Sequence, residues 1–358
     1  MSIKVANDIS RIDWDKSVGN ENIFVSYDFL RCYQDYHNNF EHVYVIGNGN
    51  KFYGHLFNVK ISDISDYSRH FLFKILLHFF LRFTQLRFFY FTNSFLTNIP
   101  SFSVNKEFYL DELIIGALKE KEADFIVIPD FLFEHPSNRS KLSEYVKVEV
   151  EEEMILSISK DWFDFNAYKS SLKTKYRKRI NNIYKRSKRL DIKTLDRSYI
   201  ESNKDQIQQL FDNVTKRASF KGTVFNVETL YSLINKYESF NLYCYFMGNN
   251  LLAFSSEFSH GDKLYSYFVG IDYSYNKEYS LYERILCETI SNAIKLKKHQ
   301  LVFGRTANEF KSNFGASPKR SYVYILVTNR YLRFVLNRIL AKIKPRKWIQ
   351  RFPFKSLD

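Results

Sequence analysis

The sequence predicts an α+β protein of two lobes, each a mixed, mostly antiparallel sheet flanked by helices. Early in the chain, apolar runs at residues 42–46 and 51–59 surround the turn Gly47-Asn-Gly-Asn50, a hairpin signal. Three strand candidates follow one another later, at residues 242–247, 251–259 and 264–273. Helical apolar spacing flanks both groups. A chain of 358 residues that is 45% apolar is long enough to bury two cores of ordinary size.

The first lobe is predicted to cover residues 1–155. A polar segment at 1–22 contains no long apolar run, so we expect no signal peptide. A helix at 24–36 precedes the hairpin, and a helix at 106–123 is followed by a buried strand at 124–129, which together make an αβ unit. The acidic run at 149–153 is predicted to be solvated surface near the junction with the second lobe.

The stretch 67–96 is the most apolar part of the chain. Lys74, His78, Arg82 and Arg87 interrupt it, so no run reaches the ~20 apolar residues of a spanning helix. Two interpretations stay open: a buried helix followed by a strand, or a basic aromatic helix that lies at a membrane surface. Neither includes a transmembrane segment.

The second lobe is predicted to cover residues 156–328, and its first helix is strongly basic. One apolar stripe follows intervals of three and four residues, at Leu172, Tyr176, Ile180, Ile183 and Tyr184. Lys and Arg fill the rest of this helix and repel one another at i, i+4, at a few tenths of a kcal/mol per pair. A nearby anion would relieve that repulsion, whereas a plain solvated face would not.

The segment 301–318 combines features of an anion site. A short buried strand opens into Gly304-Arg305-Thr306, and a short helix with Lys311 then leads to Gly315. Backbone N–H groups, a guanidinium and an ammonium at one strand end all favour negative charge. A plain strand, turn and solvated arginine would have the same spacing.

With Lys173, Tyr176, Arg177 and Val269-Gly270, the pattern Gly304-Arg-Thr-Ala-x-Glu-x-Lys311-x-x-x-Gly315-Ala resembles the GNAT-type N-acyltransferase superfamily. It is most similar to the branch of Fem-type peptidoglycan aminoacyltransferases and their acyl-CoA-using relatives. The resemblance covers roughly residues 168–327. It implies two GNAT-like lobes, the first degenerate, and an acyl-CoA or acyl-carrier thioester as co-substrate without a metal.

The resemblance also implies roles for individual residues. Arg177 would face the donor cleft, and the loop and helix start at 275–281 would bind a pyrophosphate through free N–H groups. The segment Ser274-Tyr-Asn-Lys-Glu-Tyr-Ser280 departs from the glycine-rich loop usual there. Fem-like members share this departure, and their donor can be a charged tRNA or a carrier protein.

The amino-acid composition also indicates which kinds of partner the protein binds and where in the cell it lies. The net charge of +14 and the pI near 9.4 indicate an anionic partner, which could be a phosphorylated cofactor, a nucleic acid or a membrane surface. Cys32, Cys244 and Cys287 have no metal-ligand spacing and fit a reducing compartment as small buried residues. We expect a cytoplasmic protein that could also lie peripherally on the inner face of the membrane.

The last segment, 329–358, is predicted to be a basic amphipathic helix and tail. Trp348 and Phe354 lie among its cations, which is typical of an interfacial anchor. A helix packed on its own domain with snorkelling cations is the alternative.

No Ser-His-Asp set, zinc spacing or phosphate loop is present, and N-acyl transfer needs none, because positioning an amine beside a carbonyl supplies much of the rate. The catalytic candidates are Arg305, Glu257 and Tyr282, with Glu257 as a base. The donor-binding candidates are Arg177, Tyr275, Ser280, Gly304, Thr306 and Lys311.

Three functions stay open at this point. The first is transfer of an acyl group from a thioester or ester to an amine of a cell-envelope or lipid precursor. The second keeps the reaction but takes the donor as aminoacyl-tRNA, in the Fem-type manner. The third is a non-catalytic basic module that binds RNA or anionic lipid.

Overall fold

A computed structural model describes residues 3–14, 22–60, 85–119, 121–140, 143–195, 197–217 and 224–355. The described chain contains two compact units. Unit 1 comprises residues 1–150, 219–229 and 321–345, and unit 2 comprises residues 151–218, 230–320 and 346–358. The lobe boundaries after residues 155 and 328 stay predictions, because the units are defined by contacts and are not contiguous in sequence. Residues 67–84 of the apolar stretch 67–96 lie outside the described residues.

Unit 1 carries a set of strands that is antiparallel except for one pair. In the order β1-β2-β3-β4-β6-β13, only β4 and β6 are parallel. Its strands are β1 Ile3–Ala6, β2 Glu41–Gly47, β3 Asn50–Lys60, β4 Gln85–Tyr90, β5 Phe102–Ser103, β6 Phe125–Pro129, the first part of β7 Val146–Ser157 and the last part of β13 Ser317–Val327. Its helices are α1 Tyr27–Gln34, α2 Leu110–Ala117, α3 Asp130–Phe133 and α12 Arg330–Leu340.

The predicted hairpin is confirmed. Gly47 pairs with Asn50, and Asn48 and Gly49 adopt φ values of 55° and 80°, as a primed two-residue turn requires. The helix predicted at 106–123 is shorter, because the Asn50 amide oxygen accepts from the backbone N–H groups of Asn105 and Lys106 and holds them outside the helix.

Three histidines are buried together in unit 1. His42 Nδ1 lies 2.6 Å from Tyr53 Oη, and His55 Nε2 lies 2.5 Å from the same oxygen. His37 Nδ1 lies 2.9 Å from the Tyr33 carbonyl oxygen. Desolvation lowers the pKa of His37 and of His42 to about 4, and that of His55 well below its usual value. The three rings are therefore neutral in the folded protein at pH 7.

Unit 2 places helices before and after a second set of strands, in the order β7-β12-β11-β10-β9-β8. β11 and β12 are parallel, and the other neighbouring strands in this order are antiparallel. Its strands are the last part of β7, β8 Asp191–Thr194, β9 Phe240–Met247, β10 Asn250–His260, β11 Lys263–Ile271, β12 Gln300–Gly304 and the first part of β13. Its helices are α4 Phe165–Ser171, α5 Thr174–Arg186, α6 Arg197–Ser202, α7 Lys204–Thr215, α8 Glu228–Lys236 (from Leu230 on), α9 Tyr273–Tyr279, α10 Leu281–Lys295 and α11 Asn308–Ser312. The predicted α+β class is confirmed.

The stripe predicted on the basic helix packs into the core of unit 2. Leu172, Ile180 and Ile183 are buried in one cluster with residues of α10 and β12, and Tyr176 and Tyr184 pack against it. Among the described residues, no helix has both the length and the apolar character that crossing a bilayer would need.

Two sequence expectations are corrected here. The acidic run at 149–153 was expected to be solvated surface, but it is part of β7 and its Glu153 is buried. Most of the loop that the resemblance implied at the start of 275–281 is helix α9, because the Asp272 carboxylate accepts from the N–H of Ser274 and caps a helix start there.

Gly270 allows a close approach inside unit 2. A Cβ at this position would lie 2.2 Å from the Phe254 ring and 2.9 Å from the backbone carbon of Leu210. Because backbone cannot move aside cheaply, we expect Gly270→Ala to destabilise the protein by about 1–3 kcal/mol, seen as a lowered Tm. Gly116→Ala on α2 is the control, since the atoms nearest to its Cβ would belong to the Ile3 side chain, from 3.0 Å, and not to backbone. Equal Tm changes in both variants would contradict this account of Gly270.

Candidate functional site

Strands β11 and β12 pair at one end and separate at the other. Residues 263–265 pair with residues 300–302, and no pairing is present beyond them in the described chain. A cleft of about 500 Å³ lies where the strands diverge. Side chains from both strands and from the helices beside them line it: Arg186, Val214, Ser266, Tyr267, Val269, Ile271, Tyr273, Asn276, Lys277, Ser280, Tyr282, Glu283, Ile285, Leu286, Phe303, Arg305, Thr306, Ala307, Phe310 and Lys311. All of these residues belong to unit 2.

The turn after β12 forms one wall of the cleft. Gly304, Thr306 and Ala307 have φ values of 71°, 67° and 51°. Two consecutive non-glycine residues in the left-handed region carry strain of order 1–3 kcal/mol each, and such strain concentrates at functional sites. The turn brings Arg305 and Thr306 to the cleft, as the sequence predicted that it would bring them to one strand end.

Lys311 is buried beneath this turn. Its ammonium donates to the carbonyl oxygens of Phe303, Gly304 and Arg305, at 2.9, 3.1 and 2.7 Å. Burial lowers the pKa of Lys311 to about 7, while the carboxylates of Glu151 and Glu153 act to raise it. Three carbonyl acceptors match the three N–H bonds of an ammonium, so the turn and the charged lysine stabilise each other.

The start of α10 forms the opposite wall. Ser280 is the N-cap residue of α10, but it adopts φ 52° and makes no capping bond through its side chain. The Asn276 amide oxygen instead accepts from the backbone N–H of Tyr282, at 2.9 Å. An N–H group at the start of α10, directly after the segment 275–281 that was predicted to bind a pyrophosphate, is therefore already occupied by the protein's own side chain.

The cations of the cleft include two that the sequence reasoning missed. Arg186, at the end of α5, and Lys277, on α9, both line it. Arg177 does not, because it lies nine residues before Arg186, which at 100° per residue turns it to the other side of α5. To select Arg186 from the many Lys and Arg residues of α5, the sequence analysis would have had to predict which side of this helix faces the cleft.

Arg179 joins three helices beside the cleft. Its Nε donates to Glu283 Oε1 at 2.7 Å, which links α5 to α10. Its guanidinium also lies 4.9 Å from the centre of the Phe310 ring on α11. Because Glu283 and Phe310 both line the cleft, this arginine fixes the position of two of its walls.

Glu257 lies on β10 and does not line the cleft. It is buried, and its Oε2 accepts from Asn292 Nδ2 on α10 at 3.0 Å. Desolvation raises the pKa of Glu257 to about 7. Its predicted role as a base stays a prediction, since the carboxyl faces helix α10.

The other predicted residues divide between the cleft and its surroundings. Tyr282 lines the cleft with its ring 5.4 Å from that of Phe310, and burial raises the pKa of Tyr282, so the phenol remains a hydrogen-bond donor. Ser280 also lines it. Tyr275 and Gly304 do not, although Tyr275 lies on α9, whose Tyr273 and Asn276 do.

The comparison with sequence families decides the nature of this domain. Residues 175–312 match the family described as the acetyltransferase (GNAT) domain. The chain contains a GNAT-type acyltransferase domain. This match spans α5 to α11 and includes the diverging strands and both walls of the cleft. The sequence-based recognition of a GNAT-type, amide-forming acyltransferase is confirmed.

Solved structures similar to this GNAT-type chain share little sequence with it. The FemX crystal structure is 10% identical, with a TM-score of 0.47 over 90% of this chain and 96% of FemX. A probable N-acyltransferase from Enterococcus faecalis V583 is 9% identical, with a TM-score of 0.47 over 91% of this chain and 72% of that protein. L-PGS from Bacillus licheniformis is 9% identical, with a TM-score of 0.43 over 72% of this chain and 86% of L-PGS. The comparison with curated proteins gave no match.

Proposed function

We propose that this enzyme transfers an acyl or aminoacyl group from a thioester or ester donor to an amine of a cell-envelope or lipid precursor, and that the transfer takes place in the cleft between β11 and β12. The observation that carries the proposal is the set of cations around that cleft. Arg186, Lys277 and Arg305 line it, and Lys311 underlies its strained turn.

The cleft geometry suits a reaction that depends on positioning. Beyond residue 265 the backbone of β11 is free of β12, so its polar groups on that side can bind an extended donor. Arg305 and the Tyr282 hydroxyl group would bind the carbonyl oxygen as it gains negative charge. The attacking amine loses its proton to a base, for which Glu257 is a candidate only if substrate binding opens the contact with α10.

An aminoacyl-tRNA donor is the alternative that one observation favours over CoA. The start of α10, which would bind the pyrophosphate of CoA, has its Tyr282 N–H occupied by Asn276 and is preceded directly by helix α9. Both features reduce the N–H groups open to an anion. A tRNA end would instead be attracted by Arg186, Lys277 and the net charge of +14.

The activity test compares two arginines of unit 2. Arg305→Ala should lower kcat/KM for amide formation by about 100-fold, because it removes a donor to the developing oxyanion. The matched control is Arg320→Ala, an exposed arginine that does not line the cleft. The substrates are a panel of acyl-CoA thioesters and total charged tRNA, each offered with lipid-linked and free amines.

The outcomes distinguish a tRNA donor from a CoA donor and test whether Arg305 belongs to the site. RNase should abolish transfer if the donor is charged tRNA and leave it unchanged if the donor is a CoA thioester. Equal rates for Arg305→Ala and Arg320→Ala would remove Arg305 from the site. Absence of amide product with every donor would overturn the proposed function itself.

A further inference from the structure

Helix α12 has one packed face and one uncovered face, both within unit 1. On the packed face, Leu336 and Leu340 lie against a buried cluster that includes Val323 and Ile325. Arg333 on the same side donates to the Val327 carbonyl oxygen at 2.8 Å and forms an ion pair with Glu144. The helix is therefore held on its unit by both apolar and polar contacts.

The uncovered face is apolar and aromatic. Tyr331, Phe334 and Val335 are 77%, 65% and 56% exposed, and Leu332 is 54% exposed. Four large apolar side chains exposed together on a helix of 11 residues are unusual for a surface that faces only water. We refer to Arg330, Tyr331, Leu332, Phe334, Val335, Arg338 and Lys342 as the α12 face.

Cations are interspersed on the α12 face. The Arg338 guanidinium lies 4.1 Å from the centre of the Phe334 ring, and that of Arg330 lies 4.9 Å from the Tyr331 ring. Within the part of the chain that the structure describes, no carboxylate forms an ion pair with Arg330, Arg338 or Lys342. Residues 329–347 contain no Asp or Glu at all. Among the described residues, the charge of this face is therefore uncompensated.

We propose that the α12 face docks on an anionic lipid bilayer, with Tyr331, Phe334 and Val335 among the acyl-chain boundary and the three cations at the phosphate level. Charge complementarity selects the partner, because exposed apolar side chains with cations beside them match a surface that is apolar below and negative above. An RNA would use the cations but would gain nothing from Leu332 and Val335. The proposal sharpens the peripheral membrane location that the sequence suggested, and it does not depend on the transferase reaction.

Vesicle binding tests the α12 face with matched variants of the full chain. The charge variant is Arg330→Gln/Arg338→Gln/Lys342→Gln, and its control removes three exposed lysines elsewhere, Lys4→Gln/Lys106→Gln/Lys295→Gln. The apolar variant is Phe334→Ser/Val335→Ser. Its control is Ile115→Ser/Val224→Ser, which changes two side chains that are 70% and 66% exposed outside α12.

The readout is sedimentation with vesicles of phosphatidylcholine alone or with 30% phosphatidylglycerol. The wild type should bind only the anionic vesicles, and more weakly at high salt. The charge variant should lose on the order of 100-fold in affinity and the apolar variant about 10-fold, while both controls bind as the wild type does. All variants should keep the wild-type Tm, because the changed side chains are exposed.

Four results would overturn the proposal. Wild-type protein could fail to bind anionic vesicles, or the controls could lose as much binding as the α12 variants. Alternatively, the apolar variant could abolish a dimer seen by sedimentation velocity while vesicle binding stays unchanged, which would assign the face to a second copy of the chain. Binding to RNA that the charge variant loses and the apolar variant retains, without vesicle binding, would assign it to nucleic acid.

Discussion

Replacement of Lys311 by methionine is expected to lower kcat/KM for acyl transfer by 100-fold or more and to destabilise unit 2 by about 3 kcal/mol. Methionine can occupy much of the volume of the lysine side chain but donates no hydrogen bond. The carbonyl oxygens of Phe303, Gly304 and Arg305 would then lose the donor that satisfies them in a buried setting. The strained turn at 304–307 would relax, and Arg305 and Thr306 would leave their positions on the cleft wall.

Lys295→Met is the matched control for this prediction, since Lys295 is an exposed lysine of the same unit. Activity should be measured at a temperature well below the Tm of the Lys311 variant, so that the rate reports geometry and not unfolding. A Lys311→Met protein with wild-type kcat/KM would show that the turn does not need its ammonium.

Acidification from pH 6.5 to 4 is expected to destabilise unit 1 through its buried histidines. The hydrogen-bond directions of the cluster form one consistent chain. Asn226 N–H donates to His37 Nε2, so that nitrogen is an acceptor, and the Nδ1–H of the same ring donates to Tyr33. A second proton on His37 would place two N–H groups against each other at 3.0 Å.

The rest of the network also requires neutral rings. His42 Nε2 donates to the His37 carbonyl oxygen, so its Nδ1 accepts from the Tyr53 hydroxyl. The Tyr53 hydroxyl oxygen accepts from Nε2–H of His55. The other nitrogen of the His55 ring, Nδ1, then accepts from the Ser94 hydroxyl. Every donor in this chain is matched with an acceptor only when no ring carries an extra proton.

The direction of the pH effect follows from the depressed pKa values. Unfolded histidines bind a proton near pH 6.5, whereas folded His37 and His42 do so only near pH 4. Stability from these groups is therefore fully present above pH 6.5 and is lost as the pH falls toward 4, by roughly 3 kcal/mol for each ring. Glu257 acts in the opposite direction, because its raised pKa lets folded unit 2 bind a proton below about pH 7.

Urea unfolding of wild type and of His37→Gln, at pH 7 and at pH 5, isolates one ring from these other groups. The variant should be less stable at pH 7 and should lose less stability on acidification, by about 1–2 kcal/mol. His299→Gln, at an exposed histidine, should reproduce the wild-type pH dependence. An equal pH dependence in His37→Gln and wild type would contradict the assignment of the effect to this network.

Local signals in the sequence were sufficient for most elements of the fold. The Gly-Asn-Gly-Asn turn determined the first hairpin, and the spacing from Leu172 to Tyr184 determined the buried side of α5. The Gly-Arg-Thr turn was predicted at a strand end because glycine favours turns, and in the structure Arg305 and Thr306 line the cleft. These features depend on residues that are close together in the sequence, so local sequence patterns are sufficient to predict them.

Features that depend on distant segments were not predictable in the same way. The cleft takes Arg186 from α5 while Arg177, nine residues earlier, points elsewhere, and only the packing of α5 against α10 fixes that phase. The anchoring of Lys311 on three carbonyl oxygens needs the position of α11 below β12. Unit 1 includes residues 321–345, far along the chain, because β13 pairs with β6.

The most direct test of the central claim uses a thiol placed on the cleft wall. The three native cysteines are buried, so Thr306→Cys introduces an accessible thiol beside Arg305. Lys319→Cys, exposed and outside the cleft, is the control. If the cleft binds the donor, saturating charged tRNA or acetyl-CoA should slow maleimide labelling of the Thr306→Cys variant at least tenfold and leave the Lys319→Cys variant unchanged. Labelling of both variants at the same rate with and without either donor would contradict the assignment of transfer to this cleft.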